Sequence, residues 1–359
     1  IFDWGIRWLV DFNPNKTESL LITRRRNHEF HPRLKMGNIE VKEVTQHKHL
    51  GLTISNDLTW HCHINQISEK AWKRIGSLRR KKFILDRRTL NKLYTTYIRP
   101  LLEYGNMIWD NCTLTNKRYI DTLQVEAARI VTGGTKLCSI HRLYNDTGWE
   151  LLQSRRNKHK LFQLYKIING LTPEYLRSLL PPRVNALTRY ALRNNNDFAI
   201  PASRTAVFTN SFLPSTLRDW NTLDQDVRNA HSLSLFKTRI NSGSAEVVKP
   251  PSYYSNIQTS REGQIYHTRL RLECSSLNQQ LFLKNIIDSP LCSCGLTETA
   301  SHFLLSCTNY HNLRLRYFSN LPQPLTLSIL LTGIPDAPQD LNERIFKQVQ
   351  QFILATKRF

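Results

Sequence analysis

Acidic residues are scarce in this chain. Its 359 residues carry 28 Asp and Glu against 50 Lys and Arg, a formal net charge of +22. No two acids are adjacent, and there is no Walker loop, no G-x-S-x-G and no H-E-x-x-H. The usual signatures of nucleotide hydrolysis, serine hydrolysis and zinc proteolysis are therefore missing, and no catalytic residue is assigned. No apolar run approaches the ~18 residues that a bilayer-spanning helix needs, so no membrane partner is expected. The opening "IFDWGIRWLV" starts on Ile1 and lacks a basic region followed by a cleavage site. The expectation is a chain that starts in mid-domain and is not secreted. The seven cysteines are an odd set, and Cys62, Cys112, Cys138 and Cys274 lie far apart. That is no disulfide framework; it suits a reducing compartment, nuclear and/or cytoplasmic.

What is present is a globular composition, with 40% hydrophobic and 10% aromatic residues, so a buried core is feasible over most of the length. The length suits two or three domains. The positive surplus attracts polyanions, of which nucleic acid is the commonest.

Apolar spacing predicts a fold of class α+β, predominantly α-helical. In residues 1–60, Ile6, Leu9 and Val10 suit a short helix ending at Asn13-Pro14. "SLLIT" and "HKHLGLTIS" suit strands, the second with Leu50, Leu52 and Ile54 alternating, and a basic connection beginning "RRRNHEFHPR" lies between them. Residues 61–180 predict a helical bundle. One face carries Ile64, Ile67, Ala71, Ile75 and Leu78. A second helix, capped by Asp86, carries Leu90, Leu93, Tyr94, Tyr97 and Ile98 and is ended or kinked by Pro100. A third stripe, Ile120, Leu123, Ala127, Ile130 and Val131, closes at Gly133-Gly134. A long helix follows from about Trp149 to Asn169, then a short one after Thr172-Pro173. Residues 181–262 are turn-rich and predict a connector with short helices, such as one after Ser215. Residues 263–315 hold a cysteine cluster, and residues 316–359 end in a docking helix with Ile345, Phe346, Val349, Phe352 and Ile353 on one face.

The cluster reads Cys292-x-Cys294-x7-His302-x4-Cys307. Three thiolates and one imidazole satisfy the tetrahedral preference of Zn²⁺, and four protein ligands make a closed, structural site. On an ideal helix, residues five apart diverge by ~140°. The helix holding His302 should therefore loosen before Cys307, from Ser306 and finishing by Asn309. Buried core cysteines are the plainer alternative. His61, Cys62 and His63 are consecutive and cannot all face one ion from a regular helix. Asp224 and Asp226 have no supporting ligand nearby and should face solvent.

Eleven Lys or Arg between residues 61 and 100 meet only Glu69 and Asp86. Lys70, Lys73, Arg74, Arg79, Arg80, Lys81, Lys82, Arg87 and Arg88 are the candidate nucleic-acid contacts, a row that can track phosphates. A merely solvated helical face is the alternative. "RRNKHK" at 155–160 is a second basic block.

Taken in order, several phrases resemble the downstream part of the reverse transcriptases of non-LTR (LINE-like, jockey-like) retrotransposons. They are "WLVDFNPNKTESLLIT", "HKHLGLTISNDLTWHCHI", "YIRPLLEYGNMIWD", "LQVEAARIVTG", "LYKIINGLTP", "SFLPSTLRDWNTL" and "CSCGLTETASHFLLSC". The resemblance implies a short α/β palm remnant over 1–60 with "KHLGL" as primer grip, and a thumb over 61–180. It also implies a connector and a small zinc-stapled C-terminal module. It implies RNA and/or an RNA–DNA duplex as partner. The family's Ala-Asp-Asp hairpin, which holds two Mg²⁺, lies upstream of "FNPNKTE". Mg²⁺ is therefore expected only for an intact polymerase with the upstream palm, and the isolated chain should be inactive. Lys16 resembles the lysine of the post-catalytic motif and reads here as a surface lysine. Two rival readings are part of a working polymerase whose palm lies upstream, and a domesticated adaptor binding a protein through its C-terminal helix and connector.

Overall fold

The computed structural model describes residues 2–23, 32–187, 195–243, 250–256 and 259–359. The basic connection beginning "RRRNHEFHPR" falls largely outside them. The fold is α+β and predominantly α-helical, as expected.

The first sixty residues hold less regular structure than their spacing predicts. α1 (Phe2–Trp8) stops at Leu9, whose left-handed φ of 54° breaks the helix before Asn13-Pro14. Ile6, Leu9 and Val10 are exposed rather than a buried stripe. "SLLIT" contributes only the end of β1 (Glu18–Ser19). β2 (Lys35–Met36) and β3 (Ile39–Glu40) form a hairpin, and β4 (Lys42–Glu43) pairs in parallel with β1. "HKHLGLTIS" is a hairpin, not one strand: β5 (Gln46–His49) and β6 (Leu52–Ser55) pair antiparallel. Leu50 and Gly51 join them with φ of 46° and 84°, the double positive φ of a tight two-residue hairpin turn. The reversal throws Leu50 out, 77% exposed, while Leu52 enters the helical core. The Tyr104 hydroxyl donates to the Leu50 carbonyl at 2.7 Å and pins the turn to the helices.

The helical bundle follows the sequence closely. α2 (His61–Lys81) buries Ile64, Ile67, Ala71, Ile75 and Leu78. The Asp86 carboxylate accepts from the Thr89 N–H at 2.9 Å and starts α3 (Arg87–Leu93). A π turn, Tyr94–Ile98, then leads into α4 (Arg99–Glu103). Pro100 brings no N–H, and the wide turn just before it absorbs the missing bond, so the helix bends and continues. Tyr97 leaves the expected stripe and is exposed because of that turn. α5 (Asn106–Trp109) is followed by α6 (Leu114–Thr132), whose stripe is buried against α2 and which ends at Gly133, φ 78°. α7 (Ile140–Thr147), capped by the Ser139 hydroxyl, has no counterpart in the spacing analysis. α8 (Leu152–Ile168) and α9 (Glu174–Arg177) are the expected long and short helices.

The stretch expected as a connector builds an apolar core together with α8. α10 (Ala206–Thr209), α11 (Phe212–Asn221), α12 (Gln225–Arg228) and α13 (Leu233–Gly243) follow one another. Leu217, Trp220, Phe236 and Ile240 pack against Leu161, Leu164 and Tyr165 of α8. Asp224 and Asp226 face solvent, as expected.

The remaining helices are α14 (Tyr253–Asn256), α15 (Arg261–Arg271), α16 (Asn278–Phe282), α17 (His311–Phe318), α18 (Leu327–Thr332) and α19 (Gln339–Thr356). Ile345, Phe346, Val349, Phe352 and Ile353 of α19 are all buried, in one cluster with residues of α15, α17 and α18. The docking helix therefore docks within its own chain. Its apolar face is covered by this chain's own helices.

Two arginines of α15 tie this part to the bundle. The Arg261 guanidinium donates to the carbonyls of Lys82 at 3.0 Å, Ile130 at 3.1 Å and Val131 at 2.6 Å. Arg269 Nε donates to the Gly133 carbonyl at 2.8 Å. These acceptors lie at the C-terminal ends of α2 and α6, where carbonyls lack helical partners and the helix dipole favours cations. A disulfide, Cys138–Cys274, makes the same connection, with its Cα atoms 5.0 Å apart. One bridge is no framework, but spacing gave no sign of it: the two cysteines are 136 residues apart in sequence, and only the docking of α15 brings them together.

His267 of α15 is fully enclosed, with Nε2 2.9 Å from the Leu330 carbonyl. Burial, with Arg271 nearby, pushes its pKa down to about 3. Below ~6.5 the unfolded chain takes up a proton that the folded chain refuses, so this site's stability is lost as pH falls from ~6.5 towards 3. Urea midpoints at about pH 7 and pH 5 should separate for the parent, and the gap should narrow in His267→Gln while burial of His63 and His159, whose pKa values are also lowered, keeps part of it. An unchanged separation in the variant removes His267 as the cause.

Candidate metal centre and nucleic-acid face

The four ligands expected from spacing come together. The Sγ atoms of Cys292, Cys294 and Cys307 and a ring nitrogen of His302 all lie within 4.8 Å of one another. Cys292 and Cys307 are 3.7 Å apart, and Cys294 and Cys307 3.9 Å. A tetrahedron with Zn–S bonds of ~2.3 Å has sulfur–sulfur edges of ~3.8 Å, so the donor set fits zinc. His302 Nε2 lies 3.1 Å from Cys294 Sγ, closer than the ~3.6 Å edge of such a site.

Local structure explains the convergence. A tight turn brings the Gly295 N–H to the Cys292 carbonyl at 2.9 Å, with Gly295 at φ 89°, a conformation glycine adopts freely. The Cys292 N–H donates to the Leu296 carbonyl at 2.7 Å, and Leu291 bridges Thr297. The chain then enters a π turn, His302–Ser306, closed by the Cys307 N–H on the His302 carbonyl at 2.8 Å. The expected loosening before Cys307 is this wider turn, in which a five-residue offset bonds directly. Arg314 donates to the Cys307 carbonyl, and the Arg358 guanidinium pairs with buried Glu298 at 2.6 Å. Burial pushes the Cys307 thiol up to about 11, while the Leu296 N–H pulls Cys294 below its usual value. A divalent cation among the sulfurs would deprotonate them outright.

The "WHCHI" histidines diverge, as their spacing requires. His63 is buried and its Nδ1 accepts from the Thr53 N–H at 3.4 Å, while exposed His61 pairs with Asn116 and Asn65.

Most of the basic row faces outward. Lys70, Lys73, Arg79, Arg80, Lys81 and Arg88 are exposed; Arg74 and Lys82 are half-buried. Arg74 lies 3.9 Å from the centre of the Tyr97 ring, and Lys82 is 4.6 Å from that of Phe83, so cations alternate with exposed aromatic faces. Arg79 shares Glu126 with Arg129. Arg87 is a correction: it is 3% exposed and pairs with Asp146 at 2.8 Å. Arg271 meets the same carboxylate at 2.8 Å. Burial would raise the Asp146 pKa, but Arg271 and Arg87 hold it below the usual carboxylate range. Arg87 is thus a buried counterion, not a phosphate contact. Arg261, Arg269 and Arg271 escaped the sequence reading because none of them stands in a run of cations.

No protein-family profile and no solved structure matches the chain. Over 159 residues, 44% of its length, it is 23% identical to a probable RNA-directed DNA polymerase from transposon BS of Drosophila melanogaster. Over 192 residues, 51% of its length, it is 23% identical to a probable RNA-directed DNA polymerase from transposon X-element of the same organism. The matched parts are 18% and 21% of those proteins, so the chain spans about a fifth of the curated relatives it matches. These likenesses bear out the resemblance read from the sequence: the chain is similar to RNA-directed DNA polymerases encoded by transposons.

Proposed function

We propose that this chain is the nucleic-acid-gripping part of a retrotransposon RNA-directed DNA polymerase. It holds RNA or an RNA–DNA duplex by its phosphates and takes no part in bond-making. The observation that carries this reading is the division of α2, with its apolar stripe buried and Lys70, Lys73, Arg80 and Lys81 turned outward. The function does not need Arg87. The Cys292, Cys294, His302 and Cys307 set holds one structural Zn²⁺ that fixes the segment beneath α17 and α19. Mg²⁺ would be needed only by an intact polymerase with the upstream palm.

The test is affinity for a labelled RNA–DNA hybrid against salt. With about four phosphates neutralised, affinity should fall about a hundredfold between roughly 50 and 200 mM salt. Base sequence should matter little, since phosphate contacts carry none of it. Reversing Lys70 and Lys73 to Glu should flatten the slope. Binding indifferent to ionic strength overturns the reading.

A further inference from the structure

A cleft of about 590 Å³ opens where α2, α6 and α15 meet. Arg79, Lys82, Arg129, Lys136 and Arg269 line it, against the single carboxylate of Glu126. That carboxylate is already shared between Arg79 and Arg129. Arg269 is held in place by its bond to the Gly133 carbonyl. Lys136, in the loop after α6, is exposed and forms no ion pair among the described residues. The cleft therefore has a surplus of cations, drawn from the C-terminal end of α2, from α6, from the loop after α6 and from α15. One wall is aromatic: the Trp72 indole lines it, oriented by its Nε1–H donating to the Tyr119 hydroxyl at 3.3 Å.

We propose that this cleft binds single-stranded nucleic acid, seating one nucleotide with its phosphates on Lys136, Arg129 and Arg269 and its base against Trp72. The inference rests on the nucleic-acid reading above and deepens it. The volume is that of a small-ligand site, and a duplex lies across such a mouth. A single strand can turn a base inward, and cations beside an aromatic ring are what sequence-tolerant single-strand binding uses. The open face of α2 then takes paired strands, and the cleft takes a strand after it has separated. The docking of α15 completes the cleft, because Arg269 comes from that helix.

The test compares two labelled probes, an oligouridine of about 12 nucleotides and an RNA–DNA hybrid of the same length. Lys136→Glu should lower affinity for the single strand about tenfold and for the hybrid less than about twofold. Trp72→Leu should do the same by removing the stacking surface. Lys70→Glu with Lys73→Glu should weaken the hybrid more than the single strand. Thermal melting checks that each variant folds, and Lys136→Glu keeps the proposal testable should Trp72→Leu not fold. Equal losses on both probes, or no loss from Lys136→Glu, overturns the cleft assignment. A parent protein that binds the hybrid but not the single strand overturns it while leaving the functional reading intact. A parent that binds neither overturns both.

Discussion

Removing the metal from purified protein, or substituting Cys307→Ser, is expected to unfold the segment from Leu291 to Tyr310. Few contacts within it would survive without the ion. Its backbone bonds are a bridge, a tight turn, a π turn, the 3-10 turn Thr308–Tyr310 and a few single bonds, and three of the four ligand side chains lie at the edges of the first three. Phe303 and Leu304 sit between the ligands and are completely buried in the cluster that holds α19. Losing the ion therefore also loosens the C-terminal helix. Small structural zinc sites contribute ~10–16 kcal/mol of apparent binding energy at pH 7, which there is folding energy. This site is attached to a core that folds around α19 as well, so the loss should stay local. One zinc per chain is expected by elemental analysis. Limited proteolysis after chelation should cut within 291–310 while α2 to α8 stay resistant. A metal-free preparation with an unchanged melting curve and cleavage pattern contradicts the assignment.

Asp146→Asn is expected to destabilise the whole molecule by about 3–5 kcal/mol, the usual cost of leaving a buried charge without its partner. The substitution keeps shape and removes charge from a carboxylate lying between two guanidinium groups. Arg87, Asp146 and Arg271 come from α3, α7 and α15, so this triad joins the bundle to the C-terminal part. The folded-state pKa of Asp146 is depressed. Its stabilising contribution is present above the unfolded carboxylate value of ~3.9 and is lost as pH falls through the lower folded value. Urea unfolding at neutral pH measures the loss, and the variant should show a weaker acid dependence at low pH. A change below about 1 kcal/mol means that the guanidinium groups find other partners or water.

Much of this fold was legible because burial leaves a periodic trace in the chain. The stripes of α2, α6 and α19, the Asp86 cap and the Gly133 stop depend on neighbours within a few residues, and they stand where the spacing put them. The metal ligands were legible for the same reason: all four lie between Cys292 and Cys307, and local turns suffice to gather them. The hairpin at Leu50-Gly51 was misread because alternation looks the same in one long strand and in two short ones.

The sequence by itself determined which face of each long helix is apolar, where some of those helices start or stop, and the four residues that can grip a metal. Only the tertiary structure decided what lies opposite each charge. Arg87 stands in a run of cations, yet its partner is 59 residues away, and Cys138 meets a cysteine 136 residues away. The cleft likewise draws its cations from three helices and a loop. Local spacing encodes burial, whereas the choice of counterion is made only when distant helices pack.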